Sequence, residues 1–433
     1  MGKPTSPPRA GQASGSPLHR LGGVVVLTGL VAGVGGMGLA LLLHAVQHLA
    51  FGYEIGHWHG TVSFLQGVAG ASPERRVLAL GVCGLVAGLG WWGLRRYCRP
   101  LVSIAQAVAA DDHRMPVFAT TAHTLLQIVT VGLGSPLGRE VAPREFAAVY
   151  AGRLAGLAGL TGEETRVIVA CAAGAGLAAV YNVPVGGALF TLEALLCTYR
   201  FSAVIPALAT AGIASMVAWL GLGDVWQYQF PPLAISASLV GWSVAAGPLL
   251  GAVAFGFSRA AAAARESAPR DRRLIPLCLV NFLGLGLLSI PFPELLGNGR
   301  GPIQLSLENE LGTGLAAALF ALKLGVVVAS LRAGAAGGLL TPGMTLGAML
   351  ATVTAGAWNA VFPPLAPAAF AIIGAGAFLA ASMRMPLAAI VLTFEFTRFD
   401  HDFFYPLVFA VVGAYGTCVW LSGRAGQPVP AGH

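Results

Sequence analysis

The sequence predicts an all-α integral membrane protein whose many tilted and broken helices form two inverted-topology repeats. Three observations carry this expectation. The first is composition: 56% of the 433 residues are hydrophobic and only 10% are charged, with a mean hydropathy of +0.75, whereas soluble domains carry about 25% charged residues. The second is the recurrence of apolar runs at 22–43, 77–94 and 403–421. Each approaches or exceeds the ~20 residues that cross a bilayer as a helix, and none alternates as the strands of a membrane barrel do. The third is an internal repeat. GAGLAAVYNVPVGGALFTLE (174–193) aligns without a gap to GAFLAASMRMPLAAIVLTFE (376–395), with eight identities in twenty.

In chain order, residues 1–20 are expected to be a disordered basic cytoplasmic tail carrying Lys3, Arg9 and Arg20. The apolar run after it is too long for a signal-peptide core. The first membrane repeat, 21–222, holds helices near 21–50, 76–97, 101–111, 117–132, 143–157, 164–180, 185–198 and 202–221. A polar, aromatic break at 223–232 opens the second repeat, 223–423, with helices near 237–265, 274–288, 312–331, 343–358, 366–381, 386–398 and 402–422. A short tail, 424–433, closes the chain. Several of these helices are too short to span alone and are cut by Gly and Pro, which lipid tolerates only where the broken backbone is buried or lines a cavity.

Charge fixes the expected orientation. Arg95, Arg96 and Arg99 form one basic cluster, and Arg259, Arg265, Arg270, Arg272 and Arg273 another. At the ends of apolar spans such clusters mark cytoplasmic loops rather than a nucleic-acid surface. The N-terminus is then cytoplasmic, and the first long helix of the second repeat ends inside, so the two halves start on opposite sides. Inverted repeats place an ion site at the midplane, on the ends of broken helices. The six cysteines, Cys83, Cys98, Cys171, Cys197, Cys278 and Cys418, form no CxxC and are expected as free thiols.

Both halves carry a Gly-rich break ending in Pro: GREVAP (138–143) and GGLLTP (337–342). A break before a helix start leaves backbone N–H groups unpaired, and Pro suits the first turn. Those donors and the positive end of the helix dipole favour an anion. Glu140 sits in such a break, where its carboxylate can occupy the anion's own place and vacate it when protonated; an ionisable group at membrane depth is a functional candidate. The alternatives are a salt bridge with Arg139 or Arg144, or a simple helix cap.

With these segments in hand, the sequence resembles the CLC family of chloride channels and proton-coupled chloride exchangers. GREVAP is similar to the family's GREGP, GGLLTP to its GGIFAP, and the two repeated segments to those that follow each. The resemblance implies a homodimer with one pore per subunit and Glu140 as external gate. It implies an anion held mainly by backbone amides of Gly138, Arg139, Val141, Leu339 and Leu340. Three departures stand beside it. Where the family has GSGIP, the chain reads CRPLVSIAQAV, leaving Pro100 and Ser103 as candidates for the central serine. The tyrosine that follows the last helix is missing from GQPVPAGH. The family's internal proton glutamate is the second of two adjacent carboxylates, and here Glu193 fills the first place while Ala194 fills the second. Glu193 is therefore either a proton-pathway residue or structural, like its repeat mate Glu395. A wider or weaker inner site and a passive channel are the expectations that follow.

Other charged residues have competing readings. Arg139 adds positive potential at the outer pore or orients Glu140, or makes a loop ion pair. Arg144 and Glu145 are expected to pair. His123 is expected as a satisfied core histidine, and Lys323 as the partner of a carboxylate. His44, His48, His57 and His59 gather near one end of the first span without a fixed ligand set, so no metal site is expected, and no cofactor. No nucleophile–base pair suggests an enzyme. The expected function is passage of chloride or a similar small monovalent anion through the plasma or inner membrane, with passive glutamate-gated conduction leading. Proton-coupled exchange is the alternative, and a non-transporting scaffold the second.

Overall fold

A computed structural model describes residues 17–53, 63–110, 112–229, 233 and 235–425. Among the described residues the secondary structure is helical throughout, apart from a single two-residue bridge. The first half contains α1 (Leu18–Phe51), α2 (Phe64–Gly70), α3 (Pro73–Tyr97), α4 (Ile104–Ala109), α5 (Val117–Gly132), α6 (Val141–Leu157), α7 (Gly162–Tyr181), α8 (Pro184–Phe190) and α9 (Phe201–Leu222). The second contains α10 (Ala237–Glu266), α11 (Leu274–Leu288), α12 (Arg300–Leu307), α13 (Thr313–Ala333), α14 (Leu340–Asn359), α15 (Pro367–Met383), α16 (Pro386–Thr397) and α17 (Phe404–Arg424). Seven of the described helices are long and apolar enough to cross a membrane.

Equivalent elements of the halves are built by equivalent residues. α7 and α15 both end on a left-handed residue, Asn182 at φ 57° and Arg384 at φ 56°. Such a cap turns the chain sharply. In each case a proline two residues on, Pro184 or Pro386, starts the next helix at its first position, where its missing N–H costs nothing. Helix pairs approach through small residues, as membrane helices do. A side chain at Gly176 of α7 would strike the Pro143 carbonyl of α6, and Gly347 of α14 packs on Gly374 of α15 with no room for a Cβ on either.

The structure departs from the sequence reading in a few places. α6 and α14 begin at Val141 and Leu340, before their prolines, so Pro143 and Pro342 are third residues of their helices. That is still inside the first turn, where N–H groups have no intrahelical partner. α2 and α12 were not expected; both are short, and α2 rests on a capping box between Ser63 and Gln66. α1 starts at Leu18, so residues 18–20 belong to it rather than to a tail, and α17 runs through Arg424. Residues 1–16 and 426–433, with the remaining tail expectations, lie outside the described residues, as do His57 and His59.

Candidate functional site

The two breaks meet. Gly138 and Gly338 form an antiparallel bridge in which the Gly138 N–H donates to the Gly338 carbonyl at 2.8 Å and the Gly338 N–H to the Gly138 carbonyl at 2.9 Å. This pairing brings the N-termini of α6 and α14 together, so the donors of two helices from different halves face one place. It also corrects one expectation: the Gly138 amide is bonded to backbone and is not a free anion ligand.

Glu140 is the residue before α6, 1% exposed. Its carboxylate crosses to the other half. Leu340 N–H donates to Oε1 at 2.7 Å, and the Tyr181 hydroxyl donates to Oε2 at 3.4 Å. Glu140's own amide is a further donor to the carboxylate. A negative group thus sits on the positive end of α14, the arrangement favoured by both helix dipole and unpaired N–H groups. Gly138 and Gly338 wall the seat: a Cβ on either would collide with the Glu140 carboxylate. Leu339 is the N-cap residue of α14, and Val141 is the first residue of α6.

Tyr181, the last residue of α7, was not singled out in the sequence, although it lies in the repeated segment two residues before the Val183–Pro184 turn. It is buried, and its hydroxyl also lies 3.0 Å from the Thr341 hydroxyl. The Arg139 guanidinium lies 5.0 Å from the centroid of its ring and donates to Gln227 Oε1 at 3.4 Å. Arg139 makes no ion pair among the described residues; it is 7% exposed, and its Nε has no partner. The cations that act electrostatically on the Glu140 carboxylate are the buried Arg144 and Arg265, whereas Arg139 acts on Tyr181. On the other flank, Arg265 donates to the Gly337 carbonyl at 3.2 Å and steadies the turn into α14.

Glu193 and Glu395 do matching work. Glu193 accepts from the amides of Leu387 (3.1 Å) and Ala388 (2.7 Å), in the first turn of α16. Glu395 accepts from Val185 (3.0 Å) and Gly186 (2.7 Å), in the first turn of α8. Each half therefore caps a helix of the other. Ala194 follows Glu193 within a π-helical turn, Thr191–Leu196. Pro100 and Ser103 are exposed, and the Ser103 hydroxyl accepts from the Gln106 amide at 3.2 Å, capping α4. Among the described residues no contact ties either to the Glu140 seat.

Two expected pairings are not made. Arg144 lies over the Phe190 ring, 4.1 Å from its centroid, while Glu145 accepts from Gln127 Nε2 at 3.1 Å and lies 3.7 Å from His123 Nε2. Successive residues of a helix point different ways, so Arg144 and Glu145 make no contact ion pair, although Arg144 still acts electrostatically on both Glu145 and Glu140. Trp91 Nε1 donates to His123 Nδ1 at 3.0 Å. An indole only donates, so Nδ1 accepts and the imidazole proton is on Nε2, facing Glu145. Lys323 takes no carboxylate either: its Nζ donates to the carbonyls of Leu295 (2.9 Å) and Gly297 (2.6 Å). It pins the loop whose Gly297 N–H donates to the Gly134 carbonyl at 3.0 Å. His48 Nδ1 lies 3.1 Å from the Tyr53 carbonyl oxygen.

Comparison with known proteins identifies the family and the fold. The family model described as voltage gated chloride channel matches residues 83–419. A ClcB-like chloride channel protein of Ralstonia nicotianae is 30% identical over 358 residues, 79% of this chain and 82% of that one. The H(+)/Cl(-) exchange transporter ClcA of Vibrio cholerae is 27% identical over 314 residues, 69% of this chain and 65% of that one. The fold is that of a slow cyanobacterial Cl-/H+ antiporter, with a TM-score of 0.81 at 20% identity over 94% of this chain and 96% of the other. The chain is an all-α membrane protein of the CLC family of voltage-gated chloride channels.

Proposed function

We propose that the protein exchanges chloride, or a similar small monovalent anion, for protons across the cell membrane. It would work as a homodimer with its N-terminus in the cytoplasm and Glu140 as the shared element of both fluxes. One observation carries this reading: the Glu140 carboxylate sits on the N-terminus of α14, held by the Leu340 amide at 2.7 Å. An anion would use the same donors, so carboxylate and anion exclude each other. Protonation removes the charge that holds Glu140 there, and the side chain yields its place to the anion. Gaining a proton and admitting an anion then become one event, the elementary step of exchange. The name of the Vibrio relative supports this direction.

Passive conduction is the second reading, and Ala194 favours it. It has no group to pass a proton, and both oxygens of neighbouring Glu193 are tied to α16. In the exchange reading the second proton carrier is Glu145. It lies five residues further along α6 and faces His123 and, through it, Trp91, which is one turn before the basic pair Arg95-Arg96.

The test uses purified protein in liposomes under a chloride gradient, with voltage clamped by valinomycin and potassium. Chloride flux and external pH are recorded together. Uphill proton movement driven by chloride is expected from the wild type. Glu140→Gln should keep chloride flux and lose proton movement, and Glu145→Gln should slow the proton arm alone. Wild-type chloride flux without proton movement would replace exchange by conduction, and no flux in folded protein would end both readings.

A further inference from the structure

Away from the Glu140 seat, the outer walls of α11 and α13 enclose a groove of about 770 Å³, within the ~300–1,000 Å³ of built small-molecule sites. Its mouth is basic. Arg270 and Arg273 come from the loop before α11, and Arg332 from the last turn of α13; all three are exposed. The acid among the lining residues is Asp271, 3.6 Å from Arg273 Nε, so the mouth keeps a net charge of +2. Its wall is apolar: Leu277 is 46% and Val280 67% exposed, both facing away from the bundle. From the start of α11 at Leu274 to Asn281, which donates to the Ser330 hydroxyl at 3.0 Å and staples the two helices, the groove descends roughly 10 Å at 1.5 Å per residue.

We propose that this groove binds an anionic phospholipid from the leaflet that the 267–273 loop faces. The phosphodiester would rest among Arg270, Arg273 and Arg332, and the upper acyl chain along Leu277 and Val280. Basic pockets between helices at a membrane surface suit lipid headgroups. A free phosphate would satisfy the mouth and leave the apolar wall empty, whereas a neutral lipid would satisfy the wall and leave the arginines unpaired. The terminal segments 1–16 and 426–433 contain no Asp or Glu, so neither offers side chains that complement this mouth. A lipid held here would clamp α11 to α13, whose C-terminal end leads through Gly334–Leu339 into the site.

The test is native mass spectrometry of the full chain in detergent with added dioleoyl phosphatidylglycerol or dioleoyl phosphatidylcholine, together with melting curves for each. Wild type should retain the phosphatidylglycerol preferentially and melt higher with it. Arg332→Gln should weaken that binding about fivefold, the effect of one cation near a membrane surface. The triple change Arg270→Gln, Arg273→Gln, Arg332→Gln should abolish the preference. Val280→Trp keeps every charge and fills the wall, and should weaken binding of both lipids. Chloride flux identifies variants that fold; if the triple variant does not, Arg332→Gln and Val280→Trp decide. Equal retention of the two lipids by wild type, or an unchanged preference in the folded variants, would overturn the proposal. So would a melting shift from inorganic phosphate as large as that from phosphatidylglycerol.

Discussion

At the scale of single residues, the proposed exchange turns on what touches the Glu140 carboxylate. A methyl group at Gly338 would fall on that carboxylate. Gly338→Ala should therefore unseat Glu140 and reproduce the Glu140→Gln phenotype of chloride flux without proton movement; wild-type proton movement would mean the seat lies elsewhere. Tyr181→Phe removes the hydroxyl that bonds Glu140 and Thr341. A hydrogen bond to a charged group contributes about 1.5–3 kcal/mol, and at 3.4 Å this one belongs at the weak end, so the closed state should weaken about tenfold, read as faster flux at alkaline pH. Lys323→Met leaves the Leu295 and Gly297 carbonyls without their buried donor, at a cost of about 1–3 kcal/mol, and should lower the melting temperature by several degrees. Glu140 was legible in the sequence because a carboxylate between apolar runs demands a reason. Tyr181 was not, because one aromatic in an apolar run looks like core. The partner of Lys323 was illegible because backbone carbonyls leave no mark in a sequence.

At the scale of elements, the reciprocal caps join the halves. Glu193→Ala and Glu395→Ala should each cost about 1 kcal/mol, the worth of a helix cap, seen as similar losses in melting temperature. A Glu193→Gln variant that keeps its stability and loses proton flux would instead make Glu193 a proton carrier. A second clasp joins the elements at the left-handed turns. Asp224, in the loop after α9, accepts from Asn182 Nδ2 at 2.6 Å and Arg398 Nη2 at 2.7 Å. These bonds, Asn182 first, hold the Asp224 carboxyl below its ordinary range. A carboxyl depressed in the folded state stabilises above its unfolded value and loses that contribution as pH falls through the folded one. Asp224→Asn should therefore remove a small acid-side part of the pH dependence of melting, small because the group is exposed. The helices themselves were readable from hydropathy and punctuation. Their first turns were not, because a proline marks the first turn without saying which position of it.

At the scale of the whole molecule, orientation is the property most directly open to measurement. α10 runs from the loop after Gly223 to the basic loop 267–273, so the positive-inside rule puts those loops on opposite sides. With Cys98 and Cys197, the two thiols that are not buried, changed to serine, an impermeant maleimide should label Val225→Cys on intact cells. It should label Arg272→Cys only after lysis, and the reverse pattern would invert the molecule and the direction assigned to the Glu140 gate.

The sequence by itself determined the solvent this protein folds in, the order of its helices, its division into two related halves and the two Gly-rich breaks. Those features are local: apolar length, Gly and Pro punctuation, and a carboxylate where hydrocarbon is expected. Only the tertiary structure decided the pairings. It set Glu140 on the helix of the other half, matched Gly138 with Gly338, exchanged the caps of Glu193 and Glu395, and laid Arg144 over the Phe190 ring. These contacts join residues about 200 positions apart or depend on which face of a helix a side chain leaves. Burial drives most polar groups to find a partner, but only the packing of the two halves fixes which one each finds.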